Sequence, residues 1–257
     1  VSGWYAPATN THRYAYAGSN SECFSEDPLL AGAQAAEEIR GAQAKGVYAF
    51  IAHFALNDQE TNRTHMLATW TNEQALREVY LRPFEIGVKQ GGARAVMSAS
   101  NYIGTTYAGA HPELLNTVLR QEWGFQGMVL TSCFDGYGYQ NADQIVRNGG
   151  DLMRATLDMA IAEVNTRSDV GIAQMRRASY NILYTVANSW MYQDGQPEVE
   201  RSAWEHPTWA AAGALILVLA GLEVVALRRY RARRAVAAEP MAPTRDTGDG
   251  TRGGGSE

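Results

Sequence analysis

Val47-Tyr48-Ala49-Phe50-Ile51-Ala52-His53 is a short, β-rich apolar run, and only Gly46 separates it from residues 29–45, whose apolar side chains recur at helical intervals. A helical pattern that feeds directly into a strand, several times over, is the signature of a parallel α/β architecture, because parallel neighbours need a crossover between them. Further strand-like runs occupy residues 3–6, 93–98 and 127–131. Between them, Thr71-Asn72-Glu73-Gln74 has the form of a capping box opening a helix with Leu76, Tyr80, Phe84 and Val88 on one face, which Pro83 should kink. Pro112 and Gly124 bracket a helix over 113–122 in the expected order, and a last helix of the body covers roughly 172–190.

The composition suits such a body. At 257 residues with 46% hydrophobic and 10% aromatic side chains, the chain has ample material for a packed core and is not a disordered protein. Residues 1–207 carry 15 basic against 22 acidic side chains, which argues against a nucleic-acid partner, since phosphate binding needs a basic face. Cys23 and Cys133 are far apart and in no metal-ligand spacing, so neither a disulfide framework nor a zinc site is suggested; they read as small buried apolar residues. Val1-Ser2-Gly3-Trp4-Tyr5 has neither the basic start nor the apolar run of a signal peptide, and a start without Met suggests an upstream part.

Residues 209–227, from Trp209 to Leu227, are apolar except for Glu223. As a helix they would rise about 28 Å, close to the thickness of a bilayer core. Trp209 at one boundary and Arg228, Arg229, Tyr230, Arg231, Arg233 and Arg234 at the other complete the pattern of one transmembrane helix. Glu223 lies near the arginine-rich end, within reach of the headgroup region or of an arginine. The positive-inside bias places 228–257 in the cytoplasm as a basic tail, whose Gly- and Pro-rich end is expected to be disordered, and places everything before Trp209 outside the cell membrane. Residues 193–208, with Asp194-Gly195-Gln196-Pro197 at their start, read as the linker.

Several words along the body are similar to one family. Phe24-Ser25-Glu26-Asp27-Pro28-Leu29-Leu30, Ala52-His53-Phe54-Ala55-Leu56-Asn57-Asp58-Gln59-Glu60, Glu122-Trp123-Gly124-Phe125 and the strand ending Val129-Leu130-Thr131-Ser132 closely resemble glycoside hydrolase family 3 of the β-glucosidase type. Asn57-Asp58-Gln59-Glu60-Thr61-Asn62-Arg63, Val96-Met97-Ser98 with Asn101, and Gly149-Gly150-Asp151-Leu152-Met153 fall in the same register and look structural. The resemblance implies an α/β fold, a (β/α)8 TIM-type barrel, of which residues 1–192 would be a partial version lacking the first strands, because a complete barrel takes about 250 residues. The chain is then expected to be the carboxyl part of a longer protein.

The resemblance also assigns a site, and the chain departs from it at the charged positions. Arg13 matches a family arginine that could hold sugar hydroxyls or orient a carboxylate, with a plain ion pair as the alternative, and His53 matches a histidine that grips the sugar ring. Where the family has Lys before that histidine this chain has Ala52, and where it has Arg in the preceding loop this chain has Ser19. Most consequentially, Ser132 stands at the position of the nucleophilic Asp. A retaining glycosidase uses two carboxyl groups about 5–5.5 Å apart, one donating a proton to the leaving oxygen and one attacking the anomeric carbon. Serine has no standing charge, and nothing evident would turn it into an alkoxide. Asp135, three residues on, is a candidate substitute. A Ser-His-Asp triad through Ser132 and His53 is rejected, because Leu130-Thr131-Ser132-Cys133-Phe134 lacks the Gly-x-Ser-x-Gly elbow.

The acid/base is not assigned by the resemblance, and no cofactor or metal is implied. The expected activity is hydrolysis of O-glycosidic bonds in β-glucosides with retention, weak or lost in this copy. The alternative is a non-catalytic carbohydrate-binding or scaffold protein at the cell surface. Either way the expected partners are a carbohydrate, a β-glucoside or oligosaccharide, and the membrane.

Overall fold

A computed structural model of the chain describes residues 1–134, 138–155, 164, 167–193 and 205–237. The chain divides into two compact units, Val1–Pro197 and Glu198–Glu257. Strands among the described residues are β1 (Gly3–Trp4), β2 (Tyr48–Phe54), β3 (Ala68–Thr69), β4 (Ala95–Ser98), β5 (Tyr102–Ile103), β6 (Thr106–Tyr107), β7 (Met128–Cys133) and β8 (Leu152–Arg154). Five of them form one sheet in the order β1-β2-β4-β7-β8, with every neighbouring pair parallel. This is half of a parallel barrel wall with helices outside it.

The four expected strands are all present, with altered ends. β1 is two residues long instead of four, β2 continues past His53 to Phe54, and β7 runs on to Cys133. β8 and the small sheet β3-β5-β6 were not legible, being runs of two or three residues. Alternation in the strands separates two apolar layers. Ala49, Ile51, Val96 and Val129 face the helices, packed with Ile39, Phe84, Leu115 and Leu119, whereas Phe50, Ala52, Ala95, Met97, Met128 and Leu130 form the concave layer. Both faces are covered or curved inward, which is why the strands read as continuous apolar runs.

The helices start where the sequence can satisfy their free amides. Asp27 caps helix Pro28–Ala44 by accepting from the Leu29 and Leu30 N–H groups at 2.7 and 3.0 Å, with Pro28 in the first turn, so the Ser-Glu-Asp-Pro word is a helix start. The helix buries a face of small residues, Ala31, Gly32, Ala35 and Ala36, together with Ile39. A Cβ on Gly32 would meet Ile86 at 2.7 Å, so only glycine permits this approach to helix Arg82–Lys89. Asn72, not Thr71, caps the next helical segment, accepting from the Ala75 N–H at 2.7 Å. That segment is broken into Glu73–Ala75, a wide five-residue turn Leu76–Tyr80 and Arg82–Lys89. The break precedes Pro83, whose missing N–H prevents one continuous ladder. Glu113–Glu122 is likewise wound in i→i+5 turns between Pro112 and Gly124. The helix expected at 172–190 is Asp169–Ala187, slightly earlier at both ends than its periodicity predicts, with Ser168 as its cap, and a short helix Trp190–Gln193 follows it.

In the second unit, one helix runs from Glu205 to Ala237. It begins four residues before Trp209 and continues through the arginines, because the Ala- and Arg-rich flanks are good helix formers. Its stretch Pro207–Arg231 is long and apolar enough to cross a membrane, and its apolar side chains are exposed all round, Leu217 by 75%. Residues 194–204 of the expected linker and 238–257 of the expected tail lie outside the described residues.

Candidate functional site

A cavity of about 350 Å³ opens at the carboxyl ends of the parallel strands, lined by Tyr5, Ala8, Gly18, Ser19, Glu22, Ala52, His53, Glu60, Arg63, Met97 and Arg154. The strand ends converge there. Three of the residues singled out in the sequence meet in this cavity: Ser19, Ala52 and His53.

His53 is held by its backbone. The Asn10 side chain accepts from the His53 N–H at 2.7 Å and donates to the His53 carbonyl at 2.9 Å, which fixes the strand end while leaving the imidazole free to face the cavity. The Ala52–His53 and Phe54–Ala55 peptide bonds are cis. Burial, with Arg63 and Arg154 nearby as positive charges, pushes the imidazole down to about 4. At neutral pH His53 is therefore an uncharged donor and acceptor, suited to sugar hydroxyls.

The loop after β2 supplies the next two groups. Leu56 and Asn62 sit at positive φ, 62° and 63°, a region that asparagine tolerates and leucine rarely enters; burial of the Leu56 side chain holds the turn. Glu60 receives a hydrogen bond from the Asn57 amide at 3.2 Å and pairs with Arg63 at 3.0 Å. Opposite it, Gly18 has φ +97°, and a Cβ there would sit 2.8 Å from the Glu60 Cβ. The Glu60 N–H also donates to the Ala17 carbonyl at 2.8 Å, so the Ser19 loop is tied to this one. Glu60 and Arg63 belong to a word read as structural, yet they are cavity walls.

Arg154 was missed altogether. It ends β8, in register with Cys133, and its guanidinium lies over the Tyr5 ring at 5.2 Å from the centroid. The signal available was its position directly after Gly149-Gly150-Asp151-Leu152-Met153, but a three-residue strand gave no period to place it.

Of the other three candidates, Arg13 and Ser132 do not line the cavity. Arg13 is half exposed and donates to the buried Asp58 carboxylate at 2.9 Å, with its guanidinium 5.7 Å from the Tyr80 ring centroid; Asp58 raises the guanidinium's affinity for its proton. It is an ion pair beside the site and not one of the residues lining the cavity. Ser132 is 1% exposed in β7 on the concave side with Met128 and Leu130, and its hydroxyl finds no hydrogen-bond partner among the described residues. Asp135 lies outside the described residues. Cys23 and Cys133 are free thiols, both half-buried, and burial, with Glu22 adding to it, pushes Cys23 up to about 11, which makes it an inert thiol at neutral pH.

A parallel half-barrel whose polar cavity opens at the strand ends defines a barrel-type α/β domain. Residues 2–178 match the glycosyl hydrolase family 3 N terminal domain, and the chain belongs to that family. It is 44% identical over 147 residues to a beta-glucosidase of Rhizobium radiobacter, covering 57% of this chain and 18% of the relative. Against beta-glucosidase B of Emericella nidulans the identity is 45% over 145 residues, with 56% and 17% covered. Among solved structures, beta-glucosidase 3B from Thermotoga neapolitana in complex with alpha-D-glucose superposes with a TM-score of 0.65 at 36% identity, covering 74% of this chain and 27% of the other. The beta-glucosidase of Kluyveromyces marxianus in complex with glucose gives 0.67 at 27% identity, with 73% and 22% covered. The chain thus spans less than a fifth of the length of these two curated relatives.

Proposed function

We propose that this chain is a membrane-tethered family 3 domain that recognises β-glucoside-type carbohydrate at the cell surface and hydrolyses it weakly or not at all. The observation that carries the reading is Ser132. The residue at the nucleophile position is an uncharged side chain, sealed at 1% exposure, and its oxygen is engaged by nothing among the described residues. The attacking carboxylate would stabilise a developing oxocarbenium ion, and a serine hydroxyl with no base beside it offers neither charge nor nucleophilicity. Binding is a separate matter. The cavity offers His53 as a neutral hydrogen-bonding group, the Ser19 hydroxyl, two guanidinium groups and the Tyr5 ring as a face for a sugar to stack on. The retaining β-glucosidase chemistry of the ancestry comes from the family resemblance, and the tether from the exposed apolar helix with its arginine-rich end.

The experiment is calorimetry with methyl β-D-glucoside beside an assay of aryl β-glucoside hydrolysis on the whole chain. Binding is expected, with turnover several powers of ten below that of an intact family member, as for loss of other nucleophiles. Turnover at ordinary rates that disappears in Asp135→Asn would instead make Asp135 the working nucleophile and sink the non-hydrolytic reading.

A further inference from the structure

We propose that Arg154 is a ligand-binding residue that makes the cavity selective for sugars bearing a carboxylate, a hexuronic acid type of glycan unit. The inference rests on the proposed carbohydrate-binding role of the same cavity.

The argument starts from what the two cavity guanidiniums are attached to. Arg63 is committed, paired to Glu60 at 3.0 Å, and Glu60 is itself fixed by Asn57 and by the Ala17 carbonyl. Arg154 is held otherwise. Its backbone is locked in β8, with its N–H donating to the Thr131 hydroxyl at 3.0 Å and its carbonyl accepting from the Phe134 N–H at 3.1 Å. Its guanidinium touches only the Tyr5 ring, 5.2 Å from the centroid, and no carboxylate lies within pairing distance among the described residues. Tyr5 is held in turn, edge-on to Phe50 at 5.2 Å. Stacking orients a guanidinium plane without using its N–H groups, so the fork is half-buried and pre-oriented, and among the described residues its N–H groups are unspent.

The place of Arg154 in the sheet makes this more than a stray surface arginine. Its register partner, Cys133, directly follows the neutral Ser132 at the position where relatives by resemblance have a carboxylate. Charge has thus been rearranged and not simply removed. The neighbouring positions 19 and 52 are uncharged, position 132 is uncharged, and a cation projects from β8 instead. A fork of parallel N–H groups recognises a planar carboxylate bidentately, whereas a sugar hydroxyl uses one donor and leaves the charge unneutralised. Glu22 also lines the cavity but is exposed, where water screens its repulsion of an anion more than it screens the half-buried guanidinium.

The test compares methyl β-D-glucuronide with methyl β-D-glucoside by calorimetry, using the whole chain in a detergent without sugar headgroups. The glucuronide is expected to bind at least about tenfold more tightly, with an advantage that shrinks as salt is raised, in keeping with a bidentate charge-assisted contact. In Arg154→Gln the ratio of the two affinities is expected to fall to about one, and Arg154→Lys, which keeps the charge but not the fork, should lie between. Each variant is checked for a cooperative melt, and the lysine variant carries the comparison should the glutamine variant not fold. Equal affinities in the parent chain, binding of the glucoside alone, or an unchanged ratio in the variants overturn the assignment of Arg154 and leave sugar recognition standing. Binding of neither sugar overturns both.

Discussion

His53, which lines the cavity, and Ser132, which stands in β7 away from its lining, are both governed by burial. The His53 imidazole is pushed down to about 4, so between that value and the ordinary 6.5 the unfolded chain binds a proton that the folded one refuses. The sign follows: the neutral, folded form is fully favoured above about pH 6.5, and its stability is lost as pH falls toward 4, by about 3 kcal/mol in all. Melting curves of the parent and of His53→Gln should therefore converge as pH drops from 7 to 4, while parallel curves would contradict the assignment. At Ser132 the hydroxyl is desolvated and finds no partner among the described residues, so deleting it removes a cost and none of their hydrogen bonds. Ser132→Ala should stay within about 0.5 kcal/mol of the parent in denaturant unfolding. Ser132→Asp should lose about 2 kcal/mol or more, because a carboxylate at a position 1% exposed is stripped of water.

The elements that carry the site are joined by one buried ion pair. Arg120, from the Glu113–Glu122 helix, donates to Asp151 at 2.6 Å and to the carbonyls of Gly127 and Gly149, while the fully buried Asp151 side chain also accepts from the Val129 N–H and the Asn181 amide, both at 2.8 Å. A single carboxylate therefore ties the helix, β7, the start of β8 and helix Asp169–Ala187, and so sets where Ser132 and Arg154 stand. Burial pushes the Arg120 guanidinium down, against the pull of Asp151. Arg120→Met is expected to cost about 3–5 kcal/mol, because it strands a buried charge, and adding Asp151→Asn should return part of it. Urea unfolding of the three variants measures this, and an additive double variant would mean that the pair is not a unit.

At the scale of the whole chain, the two units dispose of their apolar side chains differently. The first buries its apolar side chains between a parallel sheet and its helices; the second exposes them along an entire helix, Pro207–Arg231, that would rise about 37 Å. Water penalises such a helix and a bilayer does not, so the chain should remain in the membrane pellet after alkaline carbonate extraction, and a form ending before residue 205 should be released. Release of the full chain would remove the tether from the proposed function. Protease access to residues 228–257 from one side only would test the orientation read from the arginines.

Local chemistry, legible in one dimension, determined a good deal of this protein: strand and helix order, the helix starts, the apolar C-terminal segment, and the family through words such as Ser25-Glu26-Asp27-Pro28 and Glu122-Trp123-Gly124-Phe125. Periodicity and capping are contacts between residues a few positions apart, so the chain spells them out. The composition of the cavity was decided only by tertiary structure. Arg63, ten positions on, reaches the cavity of His53 because the loop between them turns through two left-handed residues, and Arg154, about a hundred positions away, reaches it because β8 sits at the sheet edge beside β7. Arg13 went the other way: it does not line the cavity but pairs with Asp58, a carboxylate 45 positions away that only the fold brings beside it.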